Sequence, residues 1–273
     1  MNRVARHAVF GSPIAHSLSP RIHAAFAAQA GLAIDYRAIE ATRASFAPLL
    51  AAFADAGGTG ANVTLPLKED AALLCGTLSG RARRCDSVNT LLRRDAGWHG
   101  DSTDGEGLLR DLAQAGFDLP GARVLLLGAG GAARAVAFAL VDGGAAAVTV
   151  ANRDPARAAR LAAVLGGNAR AVASALEDVR DVDLVINATA AGHAGGQLAV
   201  PAAVLAAATL CYDLSYGAAA APFLARCRAA GARQVSDGLG MLVGQAAASF
   251  ALWHGVQPDT APVLARLRAE ASA

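Results

Sequence analysis

Lysine is almost missing from this chain. It occurs once, at Lys68, against 23 arginines in 273 residues. Either residue can carry surface charge. A group that must give and take a proton cannot be arginine, whose pKa lies above ~12. The lone lysine is therefore expected to do proton chemistry. Charge is also sparse and balanced, at 17% of residues and a net +2, which argues against a nucleic-acid or acidic-membrane partner. Cysteine is scarce. Cys75, Cys85, Cys211 and Cys227 form no C-x-x-C pair and no Cys/His zinc spacing. No metal site is expected, and the thiols read as reduced ones in a cytoplasmic protein. No uninterrupted apolar run reaches the ~18 residues of a membrane span. The N-terminus lacks an apolar segment with a cleavage site. There is no internal repeat, and no heptad pattern fixes an assembly; the chain is expected to be a monomer or a homodimer.

What is present is core. Hydrophobic residues make up 54% of the chain, enough for one large domain or two ordinary ones. The clearest element is the stretch from Arg123 to Arg153. Arg123-Val-Leu-Leu-Leu127 has the length of a buried parallel strand. Gly128-Ala-Gly130-Gly131-Ala-Ala133 follows at once, then a helix over Arg134–Val141 and a second strand over Ala147–Ala151. This is a βαβ unit with a G-x-G-x-x-A turn. Gly128 allows the tight turn, Gly130 lets a pyrophosphate approach the backbone, and the helix N-terminus offers that anion unpaired N–H groups. The second strand ends in Asn152-Arg153, with Arg157 one turn later, where an NAD-binding fold usually carries a carboxylate. A guanidinium forks onto a 2′-phosphate, so NADP is the expected cofactor.

The rest of the chain alternates between strands and helices. Ala8–Phe10 reads as a strand and Arg21–Ala30 as a helix stopped by Gly31. In the loop between them, Ser19 is an expected N-cap with Pro20 after it, whereas Ser17 has no evident structural task. Ile34–Glu40 reads as a strand and Ser45–Ala56 as a helix. Asn62 and Thr64 then lie two apart in an extended segment and face the same way, with Pro66 ending it and Lys68 opening a helix over Glu69–Cys75. Ser87–Leu91 and Trp98–Asp104 flank an Asp95-Ala-Gly97 turn. Asp104 precedes a helix over Glu106–Ala115, where it could serve as an N-cap, and a domain boundary is expected near it. Later come a helix over Pro155–Leu165, a strand over Val182–Ile186 leading into Asn187-Ala-Thr189-Ala-Ala-Gly192, and a strand over Thr209–Asp213 before Leu214-Ser-Tyr216-Gly217. A helix over Pro222–Ala230 precedes a glycine-rich turn, Ser236–Gly240. Met241–Trp253 is an apolar helix with Gln245 as its polar residue, and Ala261–Glu270 is a last, clasp-like helix. Four of the six asparagines (Asn62, Asn89, Asn152, Asn187) fall in these stretches. Their amides suit recognition of hydroxyls and carboxylates.

Taken in order, these motifs resemble the shikimate dehydrogenase family over nearly the whole chain. They are His16-Ser-Leu-Ser-Pro20, Asn62-Val-Thr-Leu-Pro-Leu-Lys68, Val88-Asn-Thr90, Ser102-Thr-Asp104, the glycine turn, Asn152-Arg153, Asn187-Ala-Thr189, Tyr212-Asp-Leu-Ser-Tyr216 and Asp237-Gly-Leu-Gly-Met-Leu242. The resemblance implies an α/β chain that reversibly reduces 3-dehydroshikimate to shikimate with NADPH. It implies a substrate domain over residues 1–104, completed by helices in 240–273, and a Rossmann domain over 105–239, with a cleft that closes on ligand. Lys68 and Asp104 would be the acid–base pair. Ser17, Ser19, Asn62, Thr64, Asn89, Tyr216 and Gln245 would hold the substrate. Gly128, Ala129, Gly130, Gly131, Ala132, Asn152, Arg153, Arg157, Thr189, Gly238 and Met241 would hold NADP.

Three positions depart from the family pattern. Asp86-Ser87 stands where Gly-Ala is usual, Ser102 where Asn is usual, and Asp154 where NADP-binding members often have Thr. The last puts an unhelpful charge near a 2′-phosphate. A quinate/shikimate dehydrogenase using NAD is the near alternative, and Arg153 argues against it. A non-catalytic NADP(H) sensor would need the glycine turn and Arg153, but not Lys68 together with Asp104.

Overall fold

Successive residues of a strand point to opposite faces, so runs of burial show whether a sheet is covered on both sides. In Arg123–Leu127 every residue after Arg123 is buried, whereas in Ile34–Glu40 none is. The first strand is central and the second lies at an edge. The computed structural model describes residues 4–95, 97–167, 169–172, 176, 179–189 and 199–271. Ala96 of the expected turn and residues 190–192 of the expected loop after Asn187 lie outside them. The chain divides into two compact units, Met1–Gly107 with Leu242–Ala273, and Leu108–Met241.

The first unit contains β1 (Ala5–Gly11), α1 (Ser19–Ala30), β2 (Ile34–Glu40), α2 (Arg43–Asp55), β3 (Gly58–Val63), α3 (Lys68–Leu74), β4 (Thr77–Leu78), α4 (Gly80–Cys85), β5 (Thr90–Arg94) and β6 (Gly97–Asp101). The strands form a mixed sheet in the order β2-β1-β3-β5-β6-β4. β1 pairs in parallel with β2 and β3, and β5 pairs antiparallel with β3 and β6. Its core includes Phe10, Phe46, Leu67, Val88 and Leu91. The helix α5 (Asp104–Gln114) leads out of this unit.

The second unit contains β7 (Arg123–Leu127), α6 (Gly131–Asp142), β8 (Ala147–Ala151), α7 (Pro155–Leu165), β9 (Ala169–Val172), β10 (Leu184–Asn187), α8 (Ala202–Ala207), β11 (Leu210–Asp213), α9 (Ala221–Ala229) and β12 (Val235–Ser236). All five strand pairings are parallel, in the order β12-β11-β10-β7-β8-β9. This is the doubly wound dinucleotide order, reversing direction between β7 and β10. Val124, Leu126, Leu184 and Ile186 pack into one core, while Leu125, Leu127 and Val185 pack into another. Two buried faces explain why these strands read as unbroken apolar runs. The helix α10 (Leu239–His254) leads back, and α11 (Ala261–Ala271) ends the chain.

Two local expectations change. Ser19 is the first residue of α1 rather than its cap, and Leu18 holds the cap position without a side-chain bond. The local hydrogen bond comes from Ser17 instead, whose Oγ accepts from the Ser19 N–H at 3.3 Å. Asp104 is likewise the first residue of α5, not a cap. The Gly107 N–H bonds to the Thr103 carbonyl, which leaves the Asp104 carboxylate for other partners.

Candidate active site

The first unit gathers its polar groups around one ion pair. β3 ends at Val63, the Leu67 N–H closes a turn onto the Thr64 carbonyl, and Lys68 opens α3. The hairpin of β5 and β6 brings Asn89 beside residues 101–104, with the Asn89 N–H on the Asp101 carbonyl at 3.1 Å. Lys68 Nζ donates to Asp104 Oδ2 at 2.5 Å. The two side chains are 14% and 5% exposed, so the pair is largely shielded from water while Lys68 keeps some access.

Asn89 holds the other oxygen of that carboxylate. Its Nδ2, with two protons to give, lies within donating distance of three acceptors, Asp104 Oδ1 at 2.9 Å, Thr103 Oγ1 at 2.8 Å and Gln245 Oε1 at 3.0 Å. Its Oδ1 accepts the Thr103 N–H at 2.8 Å. A backbone N–H can only donate, so this contact fixes which end of the amide faces Asp104. Gln245 reaches the cluster because α10 runs close to α5. A Cβ on Gly244 would stand 3.2 Å from Gly107 Cα, tighter than side chains normally allow. Asn62 Nδ2 donates to the Asn89 carbonyl at 3.1 Å and to Ser249 Oγ at 3.0 Å, and its Oδ1 accepts from Tyr36 Oη at 2.8 Å. One connected cluster thus unites Lys68, Asp104, Asn62, Asn89 and Gln245.

Thr64 and the serine loop are joined differently. The Thr64 N–H bonds to the Phe10 carbonyl, and the Ser12 N–H to the Leu65 carbonyl. Glu40 pins the loop by accepting from Ser12 Oγ at 2.6 Å and the Ile14 N–H at 3.0 Å. Ser19 is buried and Ser17 half-buried. Among the described residues, the buried hydroxyls of Ser87 and Ser102 have no hydrogen-bond partner. Both lie at positions that depart from the family pattern. Asp86, which shares its departure with Ser87, adopts φ 48°, a conformation suited to glycine and tolerated by aspartate.

Ser249 and Tyr36, together with Thr90 and Thr103 from the motifs, also enter the cluster, although none of them carries a site role in the sequence pattern. Ser249 had one available sign. It lies four residues after Gln245, on the same helix face.

In the second unit the expected cofactor residues line the carboxyl ends of the strands. Gly128 has φ 116°, and a Cβ there would stand 2.8 Å from the Ala188 carbonyl oxygen. Gly130 caps α6 with extended backbone, and nothing lies within 4 Å of where its Cβ would be. That open space at a helix N-terminus suits a pyrophosphate. Ala129 is buried, and Gly131 and Ala132 are half-buried in the first turn of α6. After β8, Arg153 and Arg157 are exposed, and Asn152 Nδ2 bonds to the Asp154 carbonyl at 3.0 Å. Asp154 is the N-cap of α7, its Oδ1 accepting from the Ala156 N–H at 2.9 Å. Its charge is spent on the helix end, which softens the expected conflict with a phosphate.

Thr189 Oγ1 donates to Asn187 Oδ1 at 2.7 Å, and Asn187 Nδ2 to Asp213 Oδ2 at 2.7 Å. Burial raises the Asp213 carboxyl above its usual pKa. Gly238 passes so close to Leu214 that a Cβ would meet its carbonyl oxygen at 2.2 Å, and Met241 is buried in the core. Tyr216 belongs to this second unit, just before a short 3₁₀ turn, and not to the Lys68 cluster's unit.

A doubly wound sheet with a glycine turn, in a chain that also holds a shielded ammonium–carboxylate pair, defines a nicotinamide-dependent dehydrogenase. Comparison with known proteins narrows the class. Residues 9–91 match the shikimate dehydrogenase substrate binding domain, residues 111–197 the shikimate / quinate 5-dehydrogenase family, and residues 238–268 the shikimate 5′-dehydrogenase C-terminal domain. The chain belongs to the shikimate dehydrogenase family. It is 56% identical over 272 residues to the shikimate dehydrogenase (NADP(+)) of Xanthomonas euvesicatoria, covering 97% of this chain and 96% of that one. Among solved structures it is similar to shikimate 5-dehydrogenase of Thermus thermophilus in complex with NADP(H) and shikimate. That match has TM-score 0.85 and 37% identity, over 97% of this chain and 99% of that one. An Ael1 enzyme from Pseudomonas putida gives TM-score 0.88 and 41% identity, over 96% and 98%.

Proposed function

We propose that this chain catalyses the reversible NADPH-dependent reduction of 3-dehydroshikimate to shikimate, with Lys68 and Asp104 as its acid–base pair. The observation that carries the reading is the 2.5 Å contact between the only lysine and a carboxylate that is 5% exposed. NADPH, when bound, supplies the hydride. A ketone that accepts a hydride becomes an alkoxide and needs a proton. The Lys68 ammonium supplies that proton and stabilises the developing charge, and Asp104 keeps the ammonium oriented.

The remaining assignments follow the family. Ser17, Ser19, Asn62, Thr64, Asn89, Tyr216 and Gln245 hold the substrate's carboxylate and hydroxyls. Gly128, Ala129, Gly130, Gly131 and Ala132 receive the pyrophosphate, and Arg153 and Arg157, beside Asn152, receive the 2′-phosphate. Thr189, Gly238 and Met241 complete the cofactor site. Residues 1–104 with 240–273 act as the substrate domain and 105–239 as the cofactor domain. The four free cysteines fit a cytoplasmic enzyme, as a monomer or a homodimer. Among the described residues no helix is long and apolar enough to cross a membrane.

The test is nicotinamide absorbance with purified protein, shikimate and NADP, repeated with quinate and with NAD. Turnover confined to shikimate with NADP is expected. Turnover with quinate and NAD would move the chain to the broader alternative, and cofactor binding without turnover would make it a sensor.

A further inference from the structure

The amides of Asn62 and Asn89 have fixed directions. The Asn62 NH₂ faces the Asn89 carbonyl at 3.1 Å, so its oxygen can only accept, and Tyr36 Oη must be the donor at 2.8 Å. The same NH₂ donates to Ser249 Oγ at 3.0 Å. At the far end, Asn89 Oδ1 accepts from Thr90 Oγ1 at 3.0 Å, and Asn89 Nδ2 donates to Asp104 Oδ1 at 2.9 Å. Thr90 Oγ1 and Ser249 Oγ lie 2.7 Å apart, a contact that either hydroxyl can donate. Ser249 Oγ also donates to the Gln245 carbonyl at 3.0 Å, which ties it to its own helix.

We infer that Ser249 is a positioning residue, the middle link of a connected set of hydrogen bonds that joins Tyr36, Asn62, Thr90 and Asn89 to Asp104, the carboxylate that Lys68 grips from its other oxygen. Hydrogen bonds linked in a low-dielectric interior reinforce one another, so the bond to Asp104 gains from the whole set. Ser249 is 0% exposed and makes these contacts from α10, one turn after Gln245. Its hydroxyl sets the geometry of Asp104 without occupying the substrate's place. The kinetic part of the inference rests on the proposed function, and the spectroscopic part does not.

Both parts are tested on the full chain. Ser249→Ala is expected to lower kcat for shikimate oxidation about tenfold, with KM for shikimate and NADP within about twofold. Ser249→Thr keeps the hydroxyl and is expected to recover kcat to within about threefold of wild type. Because Lys68 is the only lysine, protein grown with lysine labelled with ¹³C at Cε alone gives one side-chain methylene signal, next to the Nζ of this site. At fixed pH that signal is expected to move in Ser249→Ala and to return in Ser249→Thr, with or without turnover of shikimate. Wild-type kcat in Ser249→Ala would overturn the inference. So would equal loss in the Ala and Thr variants, a raised KM at unchanged kcat, or an unmoved Lys68 signal. If Ser249→Ala does not fold, Tyr36→Phe, which removes the first donor, decides in the same two measurements. Wild-type protein that does not oxidise shikimate would sink the proposed function alone, and the Lys68 signal would still judge the chain of hydrogen bonds.

Discussion

Lys68 is gripped through one oxygen of Asp104, while Asn89 takes the other. Neither carboxylate oxygen is idle, and the lysine approaches from a single direction. Replacing it leaves nothing nearby of the same chemistry, because every other Lys or Arg is an arginine that cannot release a proton. Lys68→Ala is expected to lower kcat by about 10²- to 10⁴-fold, the usual span for a general acid–base group, with KM for shikimate little changed. Steady-state kinetics check it, and a loss below tenfold would remove Lys68 from the chemistry. Asn62 and Asn89 show how a residue's identity can be legible while its task is not. In the sequence both read as donor–acceptor groups for substrate. In the structure much of each amide is engaged within the protein, and only the fold could show with what.

At the scale of elements, the junction of β8 and α7 carries cofactor choice. Pro155–Leu165 begins as a helix where Asp154 accepts its first N–H groups, an arrangement that generally stabilises a helix by about 1 kcal/mol. This capping leaves Arg153 at the carboxyl end of β8 as the exposed cation of the junction's short link. Arg153→Ala is expected to raise KM for NADPH by about 10- to 100-fold, the worth of one charged hydrogen bond, and to leave weak NADH use nearly as it was. Initial rates with the two cofactors check it. Equal loss with both would show that Arg153 does not read the 2′-phosphate.

For the molecule as a whole, the two units differ in what acid does to them. Among the described residues every histidine lies in the first unit. His23 stacks on Tyr36 with ring centroids 4.4 Å apart and lies 5.1 Å from Trp253, and His7 lies 4.5 Å from Trp253 and 5.0 Å from His254. Burial first, and the neighbouring imidazoles second, lower His7 and His23 from the usual 6.5 to about 3, and burial lowers His254 as well. The unfolded chain binds protons at these groups below about pH 6.5, whereas the folded chain does not until far lower. Their contribution to stability is whole above 6.5 and falls as pH drops toward 3. The loss amounts to about 2 kcal/mol for each of the two by pH 5. His23→Phe keeps a ring beside Tyr36 and is expected to flatten this fall. Urea midpoints of both proteins at about pH 7 and pH 5 measure it, and parallel declines would show that His23 is not a cause.

Local sequence determined the parts of this protein whose conformation is set within a few residues. The strand Ala147–Ala151 and the helix Pro155–Leu165 were legible to the residue. A Pro at the helix start, a capping Asp and a run of small apolar residues need no distant partner. The glycine turn was legible because its strand and helix are its immediate neighbours. Lys68 stood out by its rarity. Tertiary structure decided the rest. Thr77–Leu78 and Val235–Ser236 are strands of two residues that exist only because β6 and β11 offer them partners. Ser249 on α10 meets Asn62 on β3 across 187 positions of chain, and no local pattern encodes such a contact. The amide directions of Asn62 and Asn89 are fixed by backbone groups that the sheet and the hairpin bring to them. Short-range propensity placed the elements, and long-range hydrogen bonding decided what their polar residues do.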